Sequence, residues 1–245
     1  MSIKRHDDSA APTQNVTLFR ELTKRLLARD LGELAFGVFY GPSGYGKTVS
    51  AMSSAITYRS HYVRMGSTWS TKALADEICR KLHLKARGTS STALNDIVDQ
   101  LCSDPGRPLI IDEADFLIKR DLIDFVRDIV DNSKTPVILI GEELLPGKLR
   151  RFERAHNRVL EFVQAQPTSA DEARMFAALR APKLAFGDDL IAAIIEAGEG
   201  RARRICRNID IAKELAKARG LDKITLKEWG NATFFDGEPP KRRAA

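Results

Sequence analysis

The sequence predicts an α/β fold in which a parallel sheet is flanked by helices and a small helical domain follows. Three observations predict it. Short apolar runs alternate with segments of helical spacing, as strands buried on both faces do when crossover helices join them. The first of those runs ends at a glycine-rich turn, Gly41 to Thr48, with a helix-forming segment directly after it. Beyond Gln166-Pro167 the strand-like runs stop and every later segment reads as helical.

Taken in order, residues 1 to 14 are polar and patternless and read as a disordered arm. Leu18, Phe19, Leu22, Leu26 and Leu27 then recur at helical spacing, giving an amphipathic first helix. Ala35 to Tyr40 is a short apolar run bounded by a turn, as a buried strand would be, and a helix is expected from Lys47 to about Tyr58. A second strand is expected at His61 to Met65. Leu74, Ile78 and Leu82 mark the next helix, with Thr71 as its candidate N-cap, and Leu94, Ile97, Val98 and Leu101 mark another. Strands return at Leu109 to Asp112 and Val137 to Ile140, separated by a helix with Leu122, Phe125, Val126 and Ile129 on its apolar face. A weaker strand is expected at Val159 to Phe162. Thr168 or Ser169 caps the first helix of the second domain, in which Phe176 and Leu179, then Leu190 to Ile195, then Ile205 to Leu215 supply three apolar faces. The boundaries are thus a 1–14 arm, an α/β domain over 15–167, a helical domain over 168–235 and a disordered basic tail over 236–245 carrying Lys241, Arg242 and Arg243.

Bulk properties narrow the classes further. At 245 residues and 43% hydrophobic the chain is long enough to bury a sizeable core, and no apolar run approaches the ~20 residues needed to span a bilayer. The N-terminus has no apolar stretch of the signal-peptide kind, so a cytoplasmic, membrane-free protein is expected. Cys79, Cys102 and Cys206 lack ligand spacing and read as buried free thiols. The net charge of +6 is compatible with a polyanionic partner, since Lys and Arg on phosphates release counterions.

Chemistry concentrates at two places. Gly41 to Thr48 reads GPSGYGKT, matching GxxxxGK[ST] at Gly41, Gly46, Lys47 and Thr48, between a strand and a helix. Gly41, Gly44 and Gly46 let the backbone turn its N–H groups inward to form an anion nest, completed by the positive end of the following helix. Pro42, Ser43, Tyr45 and Val49 line the same turn. Lys47 is placed to reach the β- and γ-phosphates of ATP and Thr48 to hold Mg²⁺ through its hydroxyl. The second place is Pro108 to Asp115, PLIIDEAD, which sets carboxylates at the carboxyl end of a strand, where α/β sheets bind ligands. Asp112 is the expected partner of Mg²⁺ and Glu113 the group that polarises the attacking water, while Asp115 reads as a solvated acidic turn. The other blocks of a helicase signature are not evident.

With both motifs in place the chain resembles the AAA+ ATPases, and its layout is similar to the group of the phage Mu B, TnsC and ExeA-like proteins. The softer features that carry the resemblance are NVTLFRELTKRLL, DEADFLIKRDLIDFVRDIVDN, VILIGEELL and GEGRARRICRNIDIAKEL. Together they cover roughly residues 13 to 232. The resemblance implies the strand order 5-1-4-3-2 and an ATP site completed by a neighbouring subunit in a ring or filament. It places Asn15 near the adenine, with a helix N-cap as the alternative role. Glu142 falls at the sensor 1 position, where the family carries an uncharged polar residue, and a carboxylate there would hold water but repel phosphate. Arg203 matches the sensor 2 arginine of GxxRxI. Arg154 or Arg158 is the candidate arginine finger, a solvated helix face being the alternative for either.

The resemblance also implies an ATPase that binds duplex DNA, polymerises on it and recruits a transposase. DNA contact is expected from Thr68, Thr71 and Lys72 after the second strand and from Lys119 and Arg120 after the acidic motif, with a solvated loop as the alternative. Trp69 is a candidate hydrophobic contact between subunits. An ATPase coupled to a protein partner and a replication initiator or helicase loader are the competing readings.

Overall fold

In the computed structural model, residues 11–30, 35–85 and 88–237 are described. Most of the expected arm, and of the expected tail with Lys241, Arg242 and Arg243, lies outside them. The chain divides into two compact units, 1–42 with 47–165, and 43–46 with 166–245.

The first unit runs α1 (Gln14–Ala28), β1 (Phe36–Tyr40), α2 (Lys47–Tyr58), β2 (His61–Arg64), α3 (Thr71–Lys81), α4 (Ser90–Cys102), β3 (Leu109–Asp112), α5 (Asp115–Lys119), α6 (Ile123–Ser133), β4 (Val137–Gly141), α7 (Leu145–Leu149), α8 (Glu153–His156) and β5 (Val159–Gln164). The sheet order is β2-β3-β4-β1-β5 and every pairing is parallel. This is the expected order read from the other edge. The three inner strands carry apolar runs, FGVFY, LII ahead of Asp112, and VILIG, because both of their faces are covered. Each fully buried Ile or Leu there contributes about 1.5–3 kcal/mol.

Local chemistry explains the helix placements. Thr13 caps α1 by accepting from the Val16 N–H, and Ser70 caps α3 in place of Thr71. Gly37 admits α1, since a Cβ there would lie 2.6 Å from Leu26 Cδ1. The inner face of α2 is built from Ser50, Ala51, Ser53 and Ser54, small enough for a polar seam with α1. There Arg20 donates to Ser53 Oγ at 3.0 Å, and the Thr23 and Ser54 hydroxyls lie 3.3 Å apart. Cys79 is buried, whereas Cys102 is exposed at the last residue of α4, off that helix's apolar face, so the expectation of three buried thiols holds for Cys79 alone. Cys206 is half-buried.

The second unit contains α9 (Ala170–Arg180), β6 (Ala185–Phe186), α10 (Asp188–Ala197), α11 (Ala202–Arg219), β7 (Lys223–Ile224) and α12 (Leu226–Trp229). Ser169 opens α9 with a capping box: its Oγ accepts from Glu172 N and its own N–H donates to the Glu172 carboxylate. Ala173, Leu190, Ile194, Ile205, Ile209 and Trp229 are at the centre of its core. The all-helical expectation is corrected here, since β6 and β7 form a two-residue parallel ladder. Pairs this short leave no period-two pattern to read.

Candidate nucleotide site

Between β1 and α2 the loop turns through Gly44 at φ +90° and Gly46 at φ +81°, values that only glycine adopts without strain. Alternation of such residues aims successive backbone N–H groups at one point, the arrangement of an anion nest. Lys47 Nζ donates to Gly41 O at 2.6 Å and to Pro42 O at 2.8 Å. Burial pushes the Lys47 ammonium below its ordinary pKa, opposed by the negative charges of Asp112, Glu142, Glu113 and Asp115. Three residues singled out in the sequence, Asp112, Glu113 and Glu142, therefore share the field of Lys47. Val49 is exposed in the first turn of α2, and Pro42 and Tyr45 are half-buried while Ser43 is exposed.

The carboxyl end of β3 supplies the acidic half. Asp112 is 3% exposed, and its Oδ2 accepts from Thr48 Oγ1 at 2.7 Å and from Tyr62 Oη at 2.7 Å. Its Oδ1 accepts from Glu113 N at 2.8 Å. Burial first, and then the hydrogen bond to Asp112, pushes the Tyr62 phenol well above its ordinary value, so it stays a donor. Glu113 adopts φ +59°, left-handed backbone in a residue other than glycine, which is costly and concentrates at functional sites. Its carboxylate pairs with Arg64 Nη2 at 3.0 Å on the solvent side. A buried carboxylate beside a threonine hydroxyl is a hard-oxygen donor set, and it fits Mg²⁺, which takes one or two protein oxygens and keeps the rest of its shell as water and phosphate.

Asp115 is corrected from a solvated turn to a clamp. Its Oδ2 accepts from Glu142 N at 2.7 Å and its Oδ1 from Lys148 Nζ at 2.6 Å. Gly141 is what lets it in, because a Cβ there would collide with Asp115 Oδ2. The turn after β3 is thereby tied to the turn after β4, and Glu142 sits exposed beside it.

The remaining site candidates separate. Asn15 is 7% exposed in the first turn of α1, and the N-cap role falls to Thr13. Arg158 is committed to Asp131 through both Nε and Nη2, with Nη2 at 2.6 Å from Oδ2, while Arg154 is exposed and among the described residues has no acidic partner for its guanidinium. Within the second unit Arg203 is exposed in the first turn of α11, and Arg201 is the arginine that meets Ser43–Gly46, its Nη1 3.4 Å from Ser43 O. Arg201 is the extended N-cap residue of α11, whereas Arg203 lies within the helix. Among the DNA candidates, Arg120 Nε donates to Ser67 O at 2.8 Å, so the loop holding Thr68 and the turn holding Lys119 and Arg120 adjoin. Thr68, Lys119 and Arg120 are exposed, Thr71 is half-buried and Lys72 is paired with Asp76. Trp69 is half-buried on its own core, its indole seated over Gly66, so it is not a free apolar contact.

Sequence reading missed Tyr62 and Arg64. They stand two residues apart on β2, hence on one face, and β2 pairs with β3 in the register Arg64↔Asp112. The expected strand order was the available signal, because it sets the second strand beside the acidic one.

Residues 32–149 match the family model described as an AAA domain. No curated protein sequence matches significantly. Among solved structures the chain is similar to the Aeropyrum pernix ORC2 protein in its ADPNP-ADP complexes, at 18% identity and TM-score 0.67, covering 92% of this chain and 68% of that one. It is similar to the Aeropyrum pernix ORC1 protein in complex with DNA at 20% identity and TM-score 0.61, covering 87% and 62%. The Thermotoga maritima RuvB Holliday junction branch migration motor matches at 18% identity and TM-score 0.59, covering 92% and 70%. The chain thus spans about two thirds of the length of these proteins. A glycine loop between β1 and α2, an acidic turn after β3, the sheet order and the family match over 32–149 together give this chain the α/β P-loop AAA+ fold.

Proposed function

We propose that this chain is an ATP-dependent, DNA-binding ATPase that assembles on duplex DNA and regulates transposition by marking targets and recruiting or activating a transposase. The observation that carries the ATPase reading is the convergence of Lys47, Thr48, Asp112 and Glu113 on one side of the sheet's carboxyl edge. Lys47 and the loop N–H groups hold the β- and γ-phosphates of ATP. Thr48 and Asp112 hold Mg²⁺, which when bound supplies positive charge to the phosphoryl oxygens. Glu113 orients and polarises the attacking water. We assign residues 15–167 to the nucleotide domain and 168–235 to its lid, with Arg201 or Arg203 as the lid arginine. Arg154 is favoured over Arg158 as the finger offered to a neighbouring subunit, because Arg158 is held by Asp131. Such a finger is worth ~10³-fold or more in rate.

DNA binding is supported by the +6 charge and by the exposed Thr68, Lys119 and Arg120 gathered by the Arg120–Ser67 hydrogen bond. Contacts of this kind go to phosphates and are sequence-independent, which suits a protein that accepts many targets. The transposition role rests on the resemblance of the motifs quoted above. A cytoplasmic location accords with the absence, among the described residues, of a helix long and apolar enough to cross a membrane. A replication initiator is the second reading, favoured by the likeness to the ORC1 protein solved with DNA. Co-sedimentation with random-sequence duplex in ATP, in ADP and without nucleotide tests the proposal. ATP-dependent, salt-sensitive binding to random duplex is expected; binding confined to one sequence would favour the initiator, and no binding at low salt in any state would sink both.

A further inference from the structure

We propose that Tyr62 is a positioning residue for the Mg²⁺ site, its hydroxyl holding the Asp112 carboxylate in the orientation that receives the metal. The inference rests on the nucleotide reading above and deepens it. Three donors from three parts of the fold fix the carboxylate: Tyr62 Oη from β2 and Thr48 Oγ1 from α2 on Oδ2, both at 2.7 Å, and the Glu113 N–H on Oδ1 at 2.8 Å. Thr48 is itself a metal ligand in that reading, and the Glu113 N–H belongs to a turn in strained backbone. Tyr62 is the one donor of the three with no other duty at the site. It stands on a strand paired residue for residue with β3, so its hydroxyl is set by the sheet rather than by a loop.

Partners that orient metal-binding side chains typically change metal affinity ~10–100-fold when removed. Tyr62→Phe deletes the hydroxyl and keeps the ring, so the ring's packing is preserved while Asp112 loses one donor. The experiment measures affinity for a fluorescent ATP analogue with and without Mg²⁺, with thermal unfolding as the control on folding. The expected result is an Mg²⁺ enhancement of nucleotide affinity about 10-fold smaller in Tyr62→Phe than in the wild type, with Mg²⁺-free affinity unchanged and a cooperative unfolding transition, lowered by a few degrees, retained. An undiminished enhancement overturns the proposal alone. Equal losses with and without Mg²⁺ reduce Tyr62 to a general packing role and also overturn it. A wild-type chain whose nucleotide affinity ignores Mg²⁺ overturns the nucleotide reading itself, and the proposal with it.

Discussion

Glu113 concentrates the tension at the site. Its backbone is left-handed and its carboxylate is held by Arg64 on the solvent side, a hydrogen bond that also raises the Arg64 pKa. A carboxylate shared with a guanidinium is a poorer base toward water, so with Glu113 in its proposed role the pair would restrain hydrolysis. Arg64→Ala is therefore expected to raise DNA-free ATP turnover by ~2–5-fold, the size of an exposed ion pair. A steady-state phosphate-release assay checks it, and unchanged or reduced turnover would show that Arg64 does not restrain Glu113. At this scale the sequence made the charged groups legible but not their company. GPSGYGKT and LIIDEAD announce Lys47, Thr48, Asp112 and Glu113 through local pattern, whereas Tyr62, Arg64 and Asp115 act across strands. Their partners lie 50, 49 and 27 residues away, distances over which no local pattern speaks.

Elements were most legible where both ends carried a signal. The helix expected from Lys47 to about Tyr58 is α2, and Leu109 to Asp112 is β3 to the residue. α6 shows the opposite case, because its end at Asn132-Ser133-Lys134 offers no glycine, yet Lys134 takes φ +59°, ψ +11° at the C-cap. Left-handed backbone costs an ordinary residue about 1–2 kcal/mol, and glycine's greater freedom in the unfolded chain costs about 0.5–1. Lys134→Gly is thus expected to stabilise the protein by about 0.5–1 kcal/mol, read as an increased midpoint in urea unfolding. A lower midpoint would mean that the lysine side chain contributes more than the backbone strain removes. The short helices α5 and α7 are not legible for another reason: five residues do not complete a readable apolar face.

For the whole molecule, the parallel sheet and the phosphate loop were legible because a doubly covered sheet and a glycine nest each impose a residue pattern, whereas the strand order came from the resemblance to the AAA+ ATPases. The two-residue ladder of the second unit and the choice between Arg201 and Arg203 were not legible, since both depend on where backbone outside helices points. The proposed function requires at this scale that nucleotide control assembly on DNA, and two substitutions isolate that link. Lys47→Ala removes the cation of the phosphate loop, and Glu113→Gln, in the proposed mechanism, keeps nucleotide but removes the base. The most direct measurement is negative-stain imaging of the wild type, Lys47→Ala and Glu113→Gln with random-sequence duplex DNA and ATP. The account predicts rings or filaments on DNA for the wild type, none for Lys47→Ala, and persistent, trapped assemblies for Glu113→Gln. Assemblies of Lys47→Ala as abundant as those of the wild type would contradict it, because the phosphate loop would then not govern oligomerisation.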